Sequence, residues 1–117
     1  MIDDRDPPMA GTGEGGDASF DAAILRRQTG GSRELEHDVL RLFLESCRTD
    51  IDQLKVAETA EERRRIAHRL LGAAGAVGAL RVARLAASVE RSDAQVIPDL
   101  EAATTEVTEK ITQYLAQ

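Results

Sequence analysis

The residue best suited to chemistry in this chain is a histidine in the middle of a helical stretch. His68 lies near the centre of residues 60–77, AEERRRIAHRLLGAAGAV. At about 100° per residue, the apolar positions of this stretch form one stripe, and His68 falls almost opposite it. The stripe consists of Ile66, Leu70, Ala73 and Val77. An exposed neutral imidazole is suited to nucleophilic attack on a phosphoryl group.

The neighbours of His68 support the same chemistry. Arg64, Arg65 and Arg69 could neutralise phosphate oxygens. Gly72 and Gly75 follow on the same side, and each costs about 1 kcal/mol of helix stability relative to alanine. Glycine at these positions indicates that a partner must come close to this face of the helix.

The other candidate residues carry weaker signals. His37 stands between two acids and is predicted to be an ordinary exposed histidine, and neither it nor His68 has a second ligand at metal-binding spacing. Cys47 falls on an apolar stripe and is predicted to pack in the core. The glycine-rich residues 11–16 lack a preceding strand and a following Lys-Ser/Thr, so they are a poor phosphate loop.

Composition excludes several classes of protein. The net charge of -6 argues against wholesale nucleic-acid binding, which needs a broad basic face. A single cysteine allows no internal disulfide and favours a reduced compartment. No apolar run approaches the length of a membrane span, and the N-terminus does not resemble a signal peptide. We therefore expect a cytoplasmic protein that binds neither nucleic acid nor membrane and needs no metal or other cofactor.

The first third of the chain predicts an arm and two helices. Residues 1–18 are rich in glycine, proline and acids and are predicted to be a disordered arm, with the folded domain in residues 19–117. Ser19 is a candidate cap of a short helix that Gly30 ends, and Ser32 is a candidate cap of a long helix reaching Val56. The predicted apolar stripe of the long helix is Leu35, Val39, Leu42, Phe43, Cys47, Ile51 and Leu54, with Leu40 and Leu44 off it.

The remainder predicts three more helices. Thr59 and Glu62 form a capping box before the His68 helix, and Gly78 is its predicted end. A fourth helix is expected from about 79 to 91, with Leu80, Ala83, Leu85 (or Ala86 and Ala87) and Val89 inward. Pro98 fits the first turn of the last helix, whose stripe is Leu100, Ala103, Val107, Ile111 and Leu115. We predict an all-α fold: an antiparallel up-down-up-down four-helix bundle with a short extra N-terminal helix.

The run from Ile66 to Leu80, followed by Leu85 and Glu90, resembles the core motif of histidine-containing phosphotransfer (HPt) domains. The resemblance implies a four-helix bundle whose exposed histidine accepts a phosphoryl group from a receiver-domain aspartate and passes it to another. By that resemblance His68 is the phosphorylation site and Gly72 gives access to it. The implied partners are response-regulator receiver domains or a hybrid histidine kinase, and the protein is a phosphocarrier without autonomous catalysis.

One position departs from the family pattern. The usual lysine three residues after the histidine is Leu71 here, so Arg65, Arg64 or Arg69 would have to supply the positive charge. Leu71 also offers an apolar spot beside His68 for docking a partner. Two alternatives therefore stand beside the expected monomeric phosphocarrier: a non-catalytic adaptor or inhibitor that docks a receiver or kinase, and a helical dimerisation domain.

Overall fold

The computed structural model describes residues 19–117; the predicted disordered arm, residues 1–18, lies outside the described residues. Within that range the chain is all-helical and has no strand, which confirms the predicted all-α class. The five helices are α1 (Ala22–Thr29), α2 (Arg33–Val56), α3 (Ala60–Val77), α4 (Leu80–Glu90) and α5 (Ile97–Leu115). A single 3₁₀ turn, Ala94–Val96, precedes α5.

The two N-terminal helices begin at side-chain caps. Asp21, not the predicted Ser19, caps α1 by accepting a hydrogen bond of 3.0 Å from the Ala23 amide. Ser19 is buried instead. Ser32 caps α2 as predicted, accepting from the Leu35 amide at 3.1 Å. Each cap satisfies an amide that has no partner within its helix.

The ends of α3 set the position of His68 along the bundle. The Thr59 hydroxyl accepts from the Glu62 amide at 3.0 Å, as the capping box predicts. The Glu62 carboxylate accepts from the Glu58 amide rather than from that of Thr59. Gly78 ends the helix with φ 87°, and its amide donates to the Ala74 and Gly75 carbonyls. A residue with a side chain rarely adopts this left-handed conformation, which favours glycine here.

The four long helices surround one hydrophobic core. α3 packs against α2 on one side and α4 on the other, and α5 closes the ring by contacting α2 and α4. α1 packs against α2 and α3. The largest fully buried apolar side chains come from all five helices: Leu25, Leu40, Leu70, Val82, Val89, Leu100, Val107 and Ile111.

The predicted inward face of α2 was wrong at its N-terminal end. Leu40 is fully buried, whereas Leu35 and Leu42 are exposed. The helix is rotated so that Glu36 and Leu40 point inward, and Glu36 is 1% exposed. A pattern of apolar residues places a glutamate on the solvent side. The sequence therefore predicted that Leu35 and Leu42, rather than Glu36, would face the core.

The buried Glu36 carboxylate is explained by its partners. The Tyr114 hydroxyl donates to Glu36 at 2.6 Å, and the Arg26 guanidinium lies 3.8 Å from the other carboxylate oxygen. These three residues tie α1, α2 and α5 together. A hydrogen-bonded partner offsets part of the cost of burying a charge, which is why an acid is tolerated here.

Other contacts hold α1 against the end of α3. The Asp21 amide donates to the Gly78 carbonyl at 2.8 Å, and a Cβ at Gly78 would collide with the Asp21 backbone. The rings of Phe20 and Tyr114 pack edge to face with centroids 5.3 Å apart.

The inward face of α4 differs in part from the prediction. Val82 is buried along with Ala86 and Val89, while the predicted Leu80, Ala83 and Leu85 are only half-buried.

Candidate functional site

His68 lies on the open face of α3, and its side chain is 75% exposed, as predicted. Ile66, Leu70 and Val77 are buried as the helical wheel indicated. Ala73 is only half-buried, and Ala67 and Ala74 are buried in addition to the predicted stripe. The buried arc is shifted because α3 is covered by helices on two sides, α2 and α4.

A carboxylate from the neighbouring helix orients the His68 ring. Oε2 of Glu90, at the end of α4, lies 2.7 Å from Nδ1 of His68. A carboxylate only accepts hydrogen bonds, so this contact places the proton of the neutral imidazole on Nδ1. Nε2 is then left with its lone pair available. The arrangement presents a nucleophilic nitrogen at the surface of the bundle.

Glu90 as a partner of His68 was missed from the sequence. The resemblance to HPt domains includes Glu90 only as a residue that follows the run from Ile66 to Leu80. The two residues are 22 positions apart, and the turn at Gly78 and Ala79 brings α4 back against α3. No local spacing reveals such a pair, since it depends on how the two helices align.

The predicted arginines divide into two groups. Arg64 and Arg65 are exposed, and neither side chain makes a hydrogen bond or ion pair with another residue of the described range 19–117. Arg69 points toward α2 instead. Its Nε and Nη2 donate to Oδ1 of Asp50 at 3.1 and 2.6 Å, and Nη2 also donates to Gln53. Because its guanidinium pairs with the Asp50 carboxylate, Arg69 stabilises the α2–α3 contact rather than the His68 ring.

The two glycines near His68 face open space. A Cβ added at Gly72 or Gly75 would meet no atom within 4 Å. Packing within the bundle therefore does not require glycine at either position. Leu71, at the position of the family's lysine, is half-buried against the core.

A groove of about 690 Å³ runs between α2 and α3 beside this face. One half is apolar and includes Leu42, which is 66% exposed. The other half is polar and includes the Asp50–Arg69 pair. On the wheel of α3, Arg69 and Ala76 are the lining residues of the groove that lie nearest to His68.

The remaining sequence candidates lie away from His68. His37 is half-buried with Nε2 buried and unpartnered, so the prediction of an ordinary exposed histidine was wrong. Cys47 is buried as predicted; burial and the nearby Asp50 carboxylate raise the pKa of its thiol to about 12. Within residues 19–117 no group of His, Cys, Asp and Glu side chains could hold a metal ion.

Comparison with protein families gives a match that covers this site. The family model of the Hpt domain matches residues 38–117, more than half of the chain and the part that contains His68 and Glu90. The chain belongs to the Hpt domain family. Membership implies a part in a histidine phosphotransfer relay.

The Hpt match begins inside α2, so α1 lies outside the matched range. Comparisons with curated proteins and with solved structures gave no match. None of the helices within residues 19–117 has the length and apolar character needed to cross a membrane.

Proposed function

We propose that this Hpt domain is a phosphocarrier that accepts a phosphoryl group on His68 from a receiver-domain aspartate and passes it to another receiver. The observation that carries the proposal is the exposed His68 ring with Nδ1 held by Glu90. This contact leaves Nε2 as the attacking atom. Family membership supports the same type of reaction.

The transfer step balances with the residues present. The Nε2 lone pair attacks phosphorus, a P–N bond forms, and the P–O bond to the partner's aspartate breaks with the electron pair leaving on the carboxylate. The ring becomes a phosphoimidazolium that still carries the Nδ1 proton. The Glu90 carboxylate, 2.7 Å from Nδ1, stabilises that positive charge. The reverse sequence returns the phosphoryl group to a second aspartate.

The open space around His68 supports close approach of a partner. Attack requires phosphorus to come within about 3–3.5 Å of Nε2, so the partner's backbone and side chains must pass near the helix surface. The empty space above Gly72 and Gly75 permits this. We assign these two glycines to access and Leu71 to an apolar contact with the partner.

Positive charge for the phosphoryl oxygens comes from Arg65 first and Arg64 second. Both lie one turn before His68 and have no partner among residues 19–117. Arg69, which the sequence also suggested, is engaged by Asp50 and is left out of this role.

The architecture and setting of the carrier complete the proposal. We infer that α2 to α5 form an antiparallel up-down-up-down bundle; the two-residue connection between α3 and α4 and the contact between His68 and Glu90 support this. The partners are receiver domains or a hybrid histidine kinase. We retain the predicted monomeric state, cytoplasmic location and lack of autonomous catalysis as parts of the proposal.

The test is incubation of the purified chain with a panel of receiver domains phosphorylated on aspartate. Acid-labile phosphate should appear on the wild type and on His37→Gln, and should be absent from His68→Gln. Helicity and melting temperature of His68→Gln should be nearly unchanged, since an exposed substitution moves stability by about 0.5 kcal/mol or less. Label on His37, or label retained in His68→Gln, contradicts the assignment.

One observation favours a second candidate, a non-catalytic adaptor that docks a receiver or kinase. Leu71 replaces the lysine that the family pattern places beside the phosphoryl group. A domain that only docked a partner would not need that charge. Binding of a receiver domain without any transfer of phosphate to His68 would identify the adaptor.

A further inference from the structure

The formal charges of the bundle are divided between its two sides. Residues 60–91, which form α3, α4 and the residue capping α4, hold seven arginines against three glutamates, a charge of +4. α2 and α5 together hold five lysines and arginines against ten acids, a charge of -5. Since α3 and α4 pack side by side, as do α2 and α5, the charge separates across the molecule.

Ion pairs at the boundary leave the excess charge on the outer surfaces. Arg69 of α3 pairs with Asp50 of α2, and Arg81 of α4 lies 3.3 Å from Glu106 of α5. These two pairs join the basic and acidic sides, and within each pair the two charges neutralise each other. Apart from Arg69 and Arg81, residues 60–91 hold five arginines against Glu61, Glu62 and Glu90, so an excess of +2 remains on the side of His68.

Four of these arginines are exposed, two on α3 near His68 and two on the solvent side of α4 and its cap. Arg64 and Arg65 lie on either side of His68 on the wheel of α3, one turn before it. On the wheel of α4, Arg84 and Arg91 are about 120° and 100° from Glu90, on the solvent side. The Arg91 guanidinium donates to the Ser88 hydroxyl at 3.4 Å, which leaves its charge unneutralised.

From this separation we infer that the α3–α4 face docks an acidic surface of the partner receiver. The acidic α2–α5 side repels the same surface, which disfavours docking on that side of the bundle. This inference rests on the proposed function, because it concerns the partner of His68. A phosphoryl group is itself an anion, so the field draws it toward the nitrogen that receives it. Charge arranged in this way raises association rates by 10- to 10³-fold and is weakened by salt.

The docking test uses the full chain carrying His68→Gln, so that binding is measured without chemistry. The probe is the receiver domain of the panel that binds the unmodified chain most tightly, held in its active form by beryllofluoride. Arg64→Gln with Arg91→Gln should lower the association rate about tenfold at low ionic strength, with little effect at about 0.5 M salt. The matched control is Arg41→Gln with Arg48→Gln: both are exposed, Arg48 lines a groove between α2 and α5, and Arg41 lies two turns before it on the same face of α2.

The control removes the same charge from the acidic side, so it should not slow association. An equal loss of association rate in the two double variants, a rate that does not depend on salt, or no binding to any receiver would overturn the inference. Salt-dependent binding that needs Arg64 and Arg91 but is not followed by labelling of His68 in the unmodified chain would leave the docking surface standing and refute phosphotransfer.

Discussion

Glu90 has two effects on His68, and they can be separated by mutation. Its hydrogen bond selects the tautomer with a free Nε2, and in the proposed transfer its charge would stabilise the phosphorylated ring. A glutamine at position 90 keeps an acceptor oxygen but removes the charge, whereas an alanine removes both. The side chain of Glu90 is 28% exposed, so its charge is only partly screened by water.

We predict that Glu90→Gln slows phosphotransfer about tenfold, equivalent to about 1.4 kcal/mol, and that Glu90→Ala slows it further. Rates measured with a phosphorylated receiver domain test this. Glu61→Gln is the matched control, because Glu61 is an exposed acid on the same face of α3 without a contact to His68. Equal rates in Glu90→Gln and Glu61→Gln would mean that the contact has no part in the reaction.

The missing lysine gives a second prediction at the scale of single residues. Leu71→Lys should lengthen the half-life of phosphorylated His68, because an ammonium group would stand one turn from the ring. Arg65→Ala should slow transfer only a few-fold, since exposed charge pairs contribute about 0.2–1 kcal/mol. The two variants are compared with wild type for transfer rate and phosphohistidine lifetime. If neither variant differs from wild type, charge compensation is not the reason that leucine is tolerated here.

At the scale of helices, the α2–α3 contact depends on an ion pair whose two ends have unequal exposure. Asp50 is 4% exposed and Arg69 is 54% exposed, both as side chains. Removing Arg69 leaves a buried carboxylate without its partner, whereas removing Asp50 lets the arginine turn to solvent. The two truncations should therefore have different costs.

We expect Arg69→Ala to lower the free energy of unfolding by about 2 kcal/mol and Asp50→Ala by less. The double variant should recover part of the loss of Arg69→Ala. Urea denaturation measures all three, and Arg64→Ala, an exposed arginine without a partner within residues 19–117, is the control with a change of about 0.5 kcal/mol or less. A larger loss in Asp50→Ala than in Arg69→Ala would contradict this account.

Most of the helices, but not all of their inward faces, could be predicted from the sequence. Ser32, Thr59 and Gly78 mark helix ends through local chemistry, and the structure places the helices there. The rotation of α2 could not be found locally, because it depends on Tyr114 reaching Glu36 from α5. The same holds for the site: the pattern around His68 is local, while Glu90 and Asp50 come from other helices.

At the scale of the whole molecule, the face proposed to react and the core are separate. His68, Gly72 and the exposed arginines lie on the surface, whereas Cys47 lies inside and is 2% exposed. Substitutions of His68, Arg64 or Arg65 should therefore change transfer without changing global stability. The buried thiol provides a measure of that stability within the same molecule.

Cys47 should react with an alkylating reagent only when the bundle unfolds. Burial raises the pKa of its thiol to about 12, so at pH 8 the folded protein holds almost no thiolate, which is the reactive form. For a domain stable by about 5 kcal/mol, alkylation should be about 10³-fold slower or more than for a free thiol, and denaturant should abolish the difference.

The raised pKa of Cys47 also makes the stability of the fold depend on pH. The unfolded chain loses the thiol proton near the ordinary pKa of 9.0 and the folded chain only near 12, so the free energy of unfolding falls as pH rises between these values. Mass spectrometry of alkylated Cys47 across pH and urea measures both effects. His68→Gln should give the wild-type protection, and Arg69→Ala should lose protection in proportion to its lower stability. Rapid alkylation of the native wild type would mean that the core around Cys47 opens far more easily than the packing of α2 indicates.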